Sequence, residues 1–402
     1  MKRSSLAVLL SLSTACGARS ELIVRSPDAG AITPFPPTCE WQLGERRPIA
    51  TDVARPSATV GASSTTLGLA SGHVLAAWNA AEVTSGERVS LYRLFSLRLD
   101  FEGRQLGATQ NVFSMTEPNN VLGLLTVPLL ARTSSGFAML ALRGNSGCSA
   151  VRMDEAGSLL GVSPSFAPGG FCDDIAALDD GSLRVFAGAR PVGTSRFPIL
   201  HVEEWRDIAP DNSVGPSQRG GLTVIARATF GDRTGIALVG AATGVFARRV
   251  SASGAFEGEP TQLDPLASDE SVALSAMRVI DDGALAYWVG PRGFNVVRFD
   301  RRRAVRERWT LSLVSGATLL QMVSADLRDG LLYVAWTTTE RRSFAQVFDR
   351  NGNERSPRFT VATSERRALA HIVATPTGAL IVGTTGDLGM FEPYAAALRC
   401  AQ

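Results

Sequence analysis

The chain has 402 residues, of which 45% are hydrophobic and 19% charged, with a formal net charge of +2. This composition is typical of a globular protein that buries a sizeable core, and the nearly neutral charge argues against nucleic acid as a partner. The chain has only three histidines, which narrows the scope for acid–base or zinc chemistry.

The N-terminus has the pattern of an export signal over residues 1–15. Met1–Arg3 is positively charged, and Leu6–Leu12 is an apolar run too short to span a bilayer. The following Leu-Ser-Thr-Ala-Cys, ending at Cys16, resembles the lipobox of bacterial lipoproteins. That resemblance implies a lipid on Cys16, an anchor in a membrane and, because Gly17 replaces the aspartate of inner-membrane retention signals, the outer membrane. Ser13 departs from the usual leucine of the lipobox, so an ordinary secretory signal cleaved nearby is the alternative.

Residues 16–38 form the second predicted region. Residues 17–38 show no hydrophobic periodicity and contain four prolines. Such a composition favours an extended tether between the lipidated cysteine and a folded body that begins at residue 39.

The rest of the chain repeats a unit in which a glycine turn separates two apolar runs. Seven copies occur at intervals of about 50 residues, centred on Gly72, Gly136, Gly181, Gly235, Gly283, Gly330 and Gly378. A second motif, typically Asp-x-x-Gly between apolar runs, follows at a distance of about 20 residues and indicates another hairpin. It occurs at Gly103, Gly157, Gly254 and Gly352, and Arg303 replaces the glycine in the fifth unit.

Two hairpins per unit predict four strands, A to D, in each repeat. Four-stranded repeats of this length stack radially into β-propellers of roughly 4–8 blades. We therefore predict an all-β, seven-bladed propeller over residues 39–402. Irregular β-sandwich domains in tandem are the alternative, although they would not require one regular period.

The two ends of the repeat region complement each other. The last unit has a predicted strand B over Ala379–Val382 and a predicted strand C over Tyr394–Arg399, and it ends there. Residues 39–52 have no hairpin partner and resemble a strand D. We expect this N-terminal segment to supply strand D of blade 7 and to close the ring without an open edge.

The five cysteines fit this arrangement. If Cys16 carries a lipid, four remain for two disulfides in an oxidising compartment. Cys39 and Cys400 lie where blade 7 lacks its C–D turn, and Cys148 and Cys172 open two strands on one rim. We predict the pairs Cys39–Cys400 and Cys148–Cys172; free cysteines near the two termini are the alternative for the first pair.

Candidate ligand-binding residues lie on the rim that carries the B–C and D–A loops, the usual ligand face of propellers. They are the arginines and carboxylates of those loops: Arg143, Asp173, Asp174, Arg190, Glu270, Arg292, Arg341 and Arg342. Guanidinium groups bind anions in a bidentate manner, although solvated loop arginines are the simpler explanation. Trp78, Trp288 and Trp336 end strand B at equivalent positions, which favours core packing between blades over a sugar-binding platform.

No catalytic, cofactor-binding or metal-binding motif is recognisable, so we expect no cofactor. The leading hypothesis is a lipid-anchored, non-catalytic binding or scaffold module with a protein or carbohydrate ligand. The alternative is a hydrolase or lyase acting on a polysaccharide or ester through channel carboxylates such as Asp173, Asp174 or Glu270, which rests on analogy between folds. A third hypothesis, an accessory subunit of an envelope machine, requires a large exposed apolar patch.

Overall fold

The structure, a computed structural model, describes residues 39–52, 59–62, 66–83, 89–118, 130–142, 147–167, 171–188, 201–314, 320–363, 367–387 and 390–401. The predicted signal peptide, Cys16 and the predicted tether lie outside these ranges. The described strands form seven antiparallel sheets, which confirms the predicted fold.

Each sheet is one blade, with its strands in the order A to D. Blade 1 contains β3 (Thr59–Ala62) and β4 (Thr66–Ala70) as strand A, then β5 (His73–Val83), β6 (Val89–Leu99) and β7 (Gln110–Pro118). Blade 2 contains β8 (Leu130–Thr133), β9 (Gly136–Leu142), β10 (Cys148–Asp154) and β11 (Leu159–Val162). Blade 3 contains β12 (Phe171–Ala177), β13 (Leu183–Gly188), β14 (His201–Ile208) and β15 (Gln218–Val224). Blade 4 contains β16 (Ala226–Thr229), β17 (Gly235–Ala241), β18 (Gly244–Val250) and β19 (Phe256–Pro265).

The last three blades follow the same order. Blade 5 contains β20 (Ser275–Ile280), β21 (Gly283–Gly290), β22 (Gly293–Asp300) and β23 (Val305–Leu311). Blade 6 contains β24 (Leu320–Arg328), β25 (Leu331–Thr338), β26 (Arg342–Phe348) and β27 (Phe359–Thr363). Blade 7 contains β28 (Arg367–Thr375), β29 (Gly378–Asp387) and β30 (Met390–Ala401), and both β1 (Glu40–Leu43) and β2 (Arg47–Pro48) pair with β30.

The Asp-x-x-Gly motif forms the C–D turns as predicted. In blade 6, Asp349 accepts hydrogen bonds from the backbone N–H groups of Asn351 and Asn353 at 2.8 and 3.0 Å, and Gly352 has a φ of 81°. The corresponding aspartate accepts the N–H four residues later in blades 1, 2 and 5. Arg303 adopts the left-handed conformation of the glycine that it replaces, with a φ of 66°. The repeated aspartate therefore satisfies the backbone donor that each tight turn would otherwise leave unpaired.

Blade 7 closes the ring as expected. Trp41 pairs with Cys400 across β1 and β30, and a disulfide joins Cys39 to Cys400 with their Cα atoms 5.4 Å apart. Its inner strands are longer than the sequence indicates, because pairing continues through Asp387 and Met390. The N-terminal strand and the disulfide together replace the C–D turn that the other blades have.

The second predicted disulfide joins Cys148 of blade 2 to Cys172 of blade 3, with Cα atoms 6.3 Å apart. Residues 166 and 148 also form a backbone bridge, so the segment before β12 is held against β10. Both disulfide predictions are confirmed. Two disulfides indicate an oxidising, exported environment.

The hydrophobic core lies in the seams between neighbouring blades. Strand A residues of adjacent blades contact each other at several seams, which places the A strands innermost, around the channel. Trp78, Trp288 and Trp336 are buried, with at most 6% of their surface exposed. Their role in core packing agrees with the sequence expectation.

Candidate functional site

The predicted ligand rim is described in part. Arg143 and Arg190 lie outside the described residues, and so does the side chain of Asp173. Asp174 is only 1% exposed and accepts a hydrogen bond from the backbone N–H of Ile175 at 2.8 Å. It therefore lies in the interior of strand A of blade 3.

Two further rim residues support their own loops. Arg292, in the B–C turn of blade 5, forms an ion pair with Asp264 and donates a hydrogen bond to the carbonyl oxygen of Pro265 at 2.6 Å. The indole N–H of Trp288 donates to the same Asp264 carboxylate at 3.0 Å. Glu270 accepts a hydrogen bond from the backbone N–H of Ala267 at 2.7 Å. These contacts hold the junction between blades 4 and 5 together.

Arg341 and Arg342 form the B–C turn of blade 6 and differ from the other rim residues. Both are exposed, and among the residues that the structure describes neither has an ion pair. The turn itself is fixed, because the N–H of Arg341 donates to the Thr338 carbonyl at 2.9 Å and Thr337 and Ser343 join their hydroxyls at 2.9 Å beneath it. A turn with a fixed backbone thus presents two consecutive arginines to solvent.

The channel contains a buried ionic cluster that the sequence analysis missed. Arg278 of blade 5 and Asp326 of blade 6 form an ion pair at 2.9 Å, and both are at most 5% exposed. Arg278 also donates to the Ala325 carbonyl at 3.1 Å. Asp326 accepts the backbone N–H of Ala374 in blade 7 at 2.7 Å, so one carboxylate ties three blades together.

The electrostatics of this cluster follow from burial. Burial raises the pKa of Asp326, and the neighbouring Arg278 only partly opposes the shift. His371 of blade 7 is 3% exposed, and burial, reinforced by the positive charge of Arg278, lowers the pKa of its imidazole to about 4. Its imidazole is therefore neutral at pH 7.

This cluster is suited to holding the ring together. Its carboxylate is desolvated and already bound by a guanidinium and a backbone N–H, so it offers no exposed oxygen to a solute. The sequence carried a signal for it, since a charged residue stands between apolar neighbours in Met277-Arg278-Val279 and Ala325-Asp326-Leu327. That these residues meet in one place follows only from the ring.

Two other features are absent from the described residues. No group of three or more histidine, cysteine, aspartate or glutamate side chains there is arranged to hold a metal ion. Within the same ranges, no helix has the length and apolar character needed to cross a bilayer.

Comparison with known proteins identifies the architecture. No known protein family matches the chain, and no curated protein matches it either. Among solved structures, Raptor from Chaetomium thermophilum is similar with a TM-score of 0.51 and 10% identity, over 91% of this chain and 29% of that one. This chain therefore spans less than a third of the Raptor chain.

Two bacterial structures are similar at lower TM-scores. The periplasmic gluconolactonase PpgL of Pseudomonas aeruginosa has a TM-score of 0.43 and 13% identity, over 71% of this chain and 82% of that one. A putative 6-phosphogluconolactonase from Bacteroides fragilis has a TM-score of 0.41 and 12% identity, over 80% and 94% of the two chains. At such identities the similarity to known structures shows the fold alone.

Proposed function

We propose that this chain is an exported, lipid-anchored β-propeller that binds an anionic ligand of the cell envelope on its B–C rim, without catalysing a reaction. The observation that carries the proposal is the placement of two features on opposite rims. The folded body begins at Cys39 on the A–B and C–D rim. The Arg341–Arg342 turn, which has no ion pair within the described part of the chain, lies on the other rim.

The register of blade 7 fixes the first position. Arg399 pairs with Gly378 at the A–B turn, so the neighbouring Cys400 and its disulfide partner Cys39 lie on that rim. Strands of seven or eight residues separate the two rims by roughly 25 Å. A lipid on Cys16, joined by a tether of about 22 residues that reaches up to about 75 Å, attaches on that rim and leaves the opposite rim unobstructed by the attachment.

The chemistry of the rim supports an anionic ligand. The exposed guanidinium groups of Arg341 and Arg342, which have no ion pair among the described residues, can bind carboxylate or phosphate groups in a bidentate manner. The channel supports a binding role over hydrolysis, because Asp326 is bound on both oxygens and enclosed. Hydrolysis through channel carboxylates needs a carboxylate that a substrate can reach.

The test compares two arginine pairs on opposite rims. Full-length protein is recovered from membranes with its bound ligands, as wild type, as Arg341→Gln/Arg342→Gln and as Arg301→Gln/Arg302→Gln. The second pair lies in the C–D turn of blade 5 and is equally exposed. We expect the B–C variant to lose at least tenfold of the recovered ligand and the C–D variant to retain it; equal recovery by all three proteins would refute the rim assignment.

The lipid is tested separately. Cys16→Ser should move the protein from the membrane fraction to the soluble fraction, and the N-terminal peptide of the wild type should carry the mass of a diacylglycerol group. An unmodified N-terminal peptide would show that the lipobox resemblance is misleading and would leave the rim experiment unaffected.

A further inference from the structure

Within the described residues, the large hydrophobic side chains that are exposed are three leucines, and all of them lie on the rim that carries the C–D turns. Leu106 of blade 1 is 38% exposed, and Leu159 and Leu160 of blade 2 are 50% and 57% exposed. Single exposed leucines are common on protein surfaces, so their location decides what they mean. All three follow within three residues of the glycine of a C–D turn, in two neighbouring blades.

The equivalent position in the other blades has a different character. Leu106 and Leu160 are each the sixth residue after the aspartate that opens the C–D turn. In blades 4, 5 and 6 the residue at this position is charged, and in blades 3 and 7 it is glycine: Glu257, Arg306, Arg355, Gly215 and Gly44. On this rim the ring therefore has an apolar side at blades 1 and 2 and a charged side at blades 4 to 6.

The outer edges of the same two blades contain long stretches without charge. Residues 105–116 of blade 1 and residues 156–172, which include strand D of blade 2, contain no aspartate, glutamate, lysine or arginine. In blade 5, by contrast, the three consecutive residues Arg306–Arg308 of strand D are all charged. Charges on edge strands normally prevent association with other surfaces. An edge without them is suited to contact an apolar partner.

The N-terminal segment leaves the folded body beside this edge. Cys39, where the described structure begins, is bonded to Cys400. The neighbouring Arg399 forms an ion pair at 2.5 Å with Glu102, which lies in the C–D turn of blade 1. The exit of the N-terminal segment and the first exposed leucine therefore lie on the same rim, in adjacent blades.

The turns that carry the leucines are held in place. Ser96 of blade 1 donates a hydrogen bond to the Gly157 carbonyl in the C–D turn of blade 2 at 2.8 Å. Within that turn, Asp154 accepts the backbone N–H of Ser158 at 2.8 Å. Blades 1 and 2 thus present their leucines on a fixed backbone, and little order has to be imposed on it when a partner binds.

We infer that the strand D edges of blades 1 and 2 lie on the surface of the bilayer that holds the protein. The inference rests on the lipid anchor of the proposed function, because a lipid at the end of a tether on this rim keeps the edge close to the bilayer. The leucines enter the boundary between headgroups and acyl chains, where apolar side chains are buried about 5–10 Å deep.

The leucines and the lipid have different roles in this arrangement. Three partly exposed leucines bury too little apolar surface to hold the protein on a membrane alone, so the lipid provides the attachment. Because the tether keeps the body near the bilayer, a weak contact is enough to set the orientation of the ring. The Arg341–Arg342 turn, on the other rim and two blades from blade 1, stays accessible to a ligand.

The test places one tryptophan on either side of the ring in the lipidated full-length protein. The protein is reconstituted in vesicles of phosphatidylglycerol and phosphatidylcholine, with and without bromine on the phosphatidylcholine chains, because bromine quenches tryptophans at short range. Leu160→Trp is compared with Arg306→Trp, which changes the equivalent position in blade 5. The six native tryptophans are at most 6% exposed, and the wild type gives their contribution. We expect bromine to remove at least half of the emission that Leu160→Trp adds and less than a tenth of that from Arg306→Trp.

A second comparison removes the leucines. Leu106→Trp should be quenched as strongly as Leu160→Trp, and combining Leu106→Trp with Leu159→Ser/Leu160→Ser should lower its quenching at least twofold. The substituted side chains are exposed, so we expect each variant to fold, and thermal unfolding checks this.

Three results would overturn the inference, and they differ in what they say about the anchor. Equal quenching in Leu160→Trp and Arg306→Trp, in protein that floats with the vesicles, would refute the orientation and leave the lipid in place. A dimer of the Cys16→Ser protein that Leu159→Ser/Leu160→Ser separates would assign the edge to a second copy of the chain. Protein that does not float with the vesicles would refute the anchor and the orientation together.

Discussion

On the rim that carries the A–B and C–D turns, the C–D turns are short, repeat a similar sequence and satisfy their own backbone hydrogen-bond donors. The turns described on the opposite rim, which carries the B–C and D–A loops, follow no shared motif. The C–D turn of blade 6 shows the first type, since Asp349 accepts two backbone N–H groups and the amide of Asn353. The B–C turn of the same blade shows the second, with Arg341 and Arg342 exposed and without ion pairs among the described residues. Two turns some eight residues apart thus serve different purposes: one builds the ring, and the other is available for recognition.

The disulfides provide the largest test of this contrast, because they lie on opposite rims. Cys39–Cys400 closes a loop of 361 residues, and Cys148–Cys172 closes one of 24. Each disulfide is removed in a variant of its own by replacing its two cysteines with serine. The entropy of loop closure predicts that the free energy of unfolding falls by about 6 kcal/mol without Cys39–Cys400 and by about 3 kcal/mol without Cys148–Cys172. Denaturant unfolding under non-reducing conditions measures both. An equal loss of unfolding free energy in the two variants would contradict the view that the ring is closed mainly at the rim that carries Cys39–Cys400.

The channel cluster should produce the next largest effect. Asp326→Ala leaves the guanidinium of Arg278 buried without this carboxylate, and breaking a buried pair in this way typically costs about 3–5 kcal/mol. Asp282→Ala, which removes an exposed partner of Arg298, is the matched control and should cost less than about 1 kcal/mol. If both variants lose the same stability in denaturant unfolding, the cluster does not tie the blades together.

His371 makes the stability of the channel depend on pH. Its folded-state pKa of about 4 lies below the usual 6.5, so its contribution to stability is complete above pH 6.5 and is lost as the pH falls towards 4. The loss amounts to about 3 kcal/mol. The raised pKa of Asp326 acts in the opposite direction, since protonation of that carboxyl is easier in the folded state.

Comparison of the wild type with His371→Leu isolates the histidine. Between pH 7 and pH 4 the wild type should lose about 3 kcal/mol more free energy of unfolding than the variant. Parallel pH profiles for the two proteins would show that the imidazole is already solvated.

The parts of the molecule that the sequence predicted are those specified by local chemistry. The blade count follows from turns such as Asp349–Gly352, and both disulfides follow from where each cysteine lies relative to those turns. The ionic cluster was missed because Arg278, Asp326 and His371 are about 45–50 residues apart and meet only once the A strands surround one axis. The extent of β29 and β30 was underestimated because Glu392 and Pro393 disfavour strands locally, yet pairing with β29 outweighs that preference.

The smallest effects on stability are expected at the two blade 6 turns, where the comparison between rims is most direct. Asp349→Ala removes the acceptor of two backbone N–H groups and should lower the free energy of unfolding by about 1 kcal/mol. Arg341→Gln/Arg342→Gln removes two exposed charges without ion pairs among the described residues and should change it by no more than about 0.5 kcal/mol. The same two variants should exchange order in the membrane recovery experiment, where only the arginine variant loses ligand. If one rim recognises ligands and the other holds the fold, the aspartate variant should lose stability and keep its ligand, and the arginine variant should do the reverse. A single variant that lost both stability and ligand would show that the two roles are not separated.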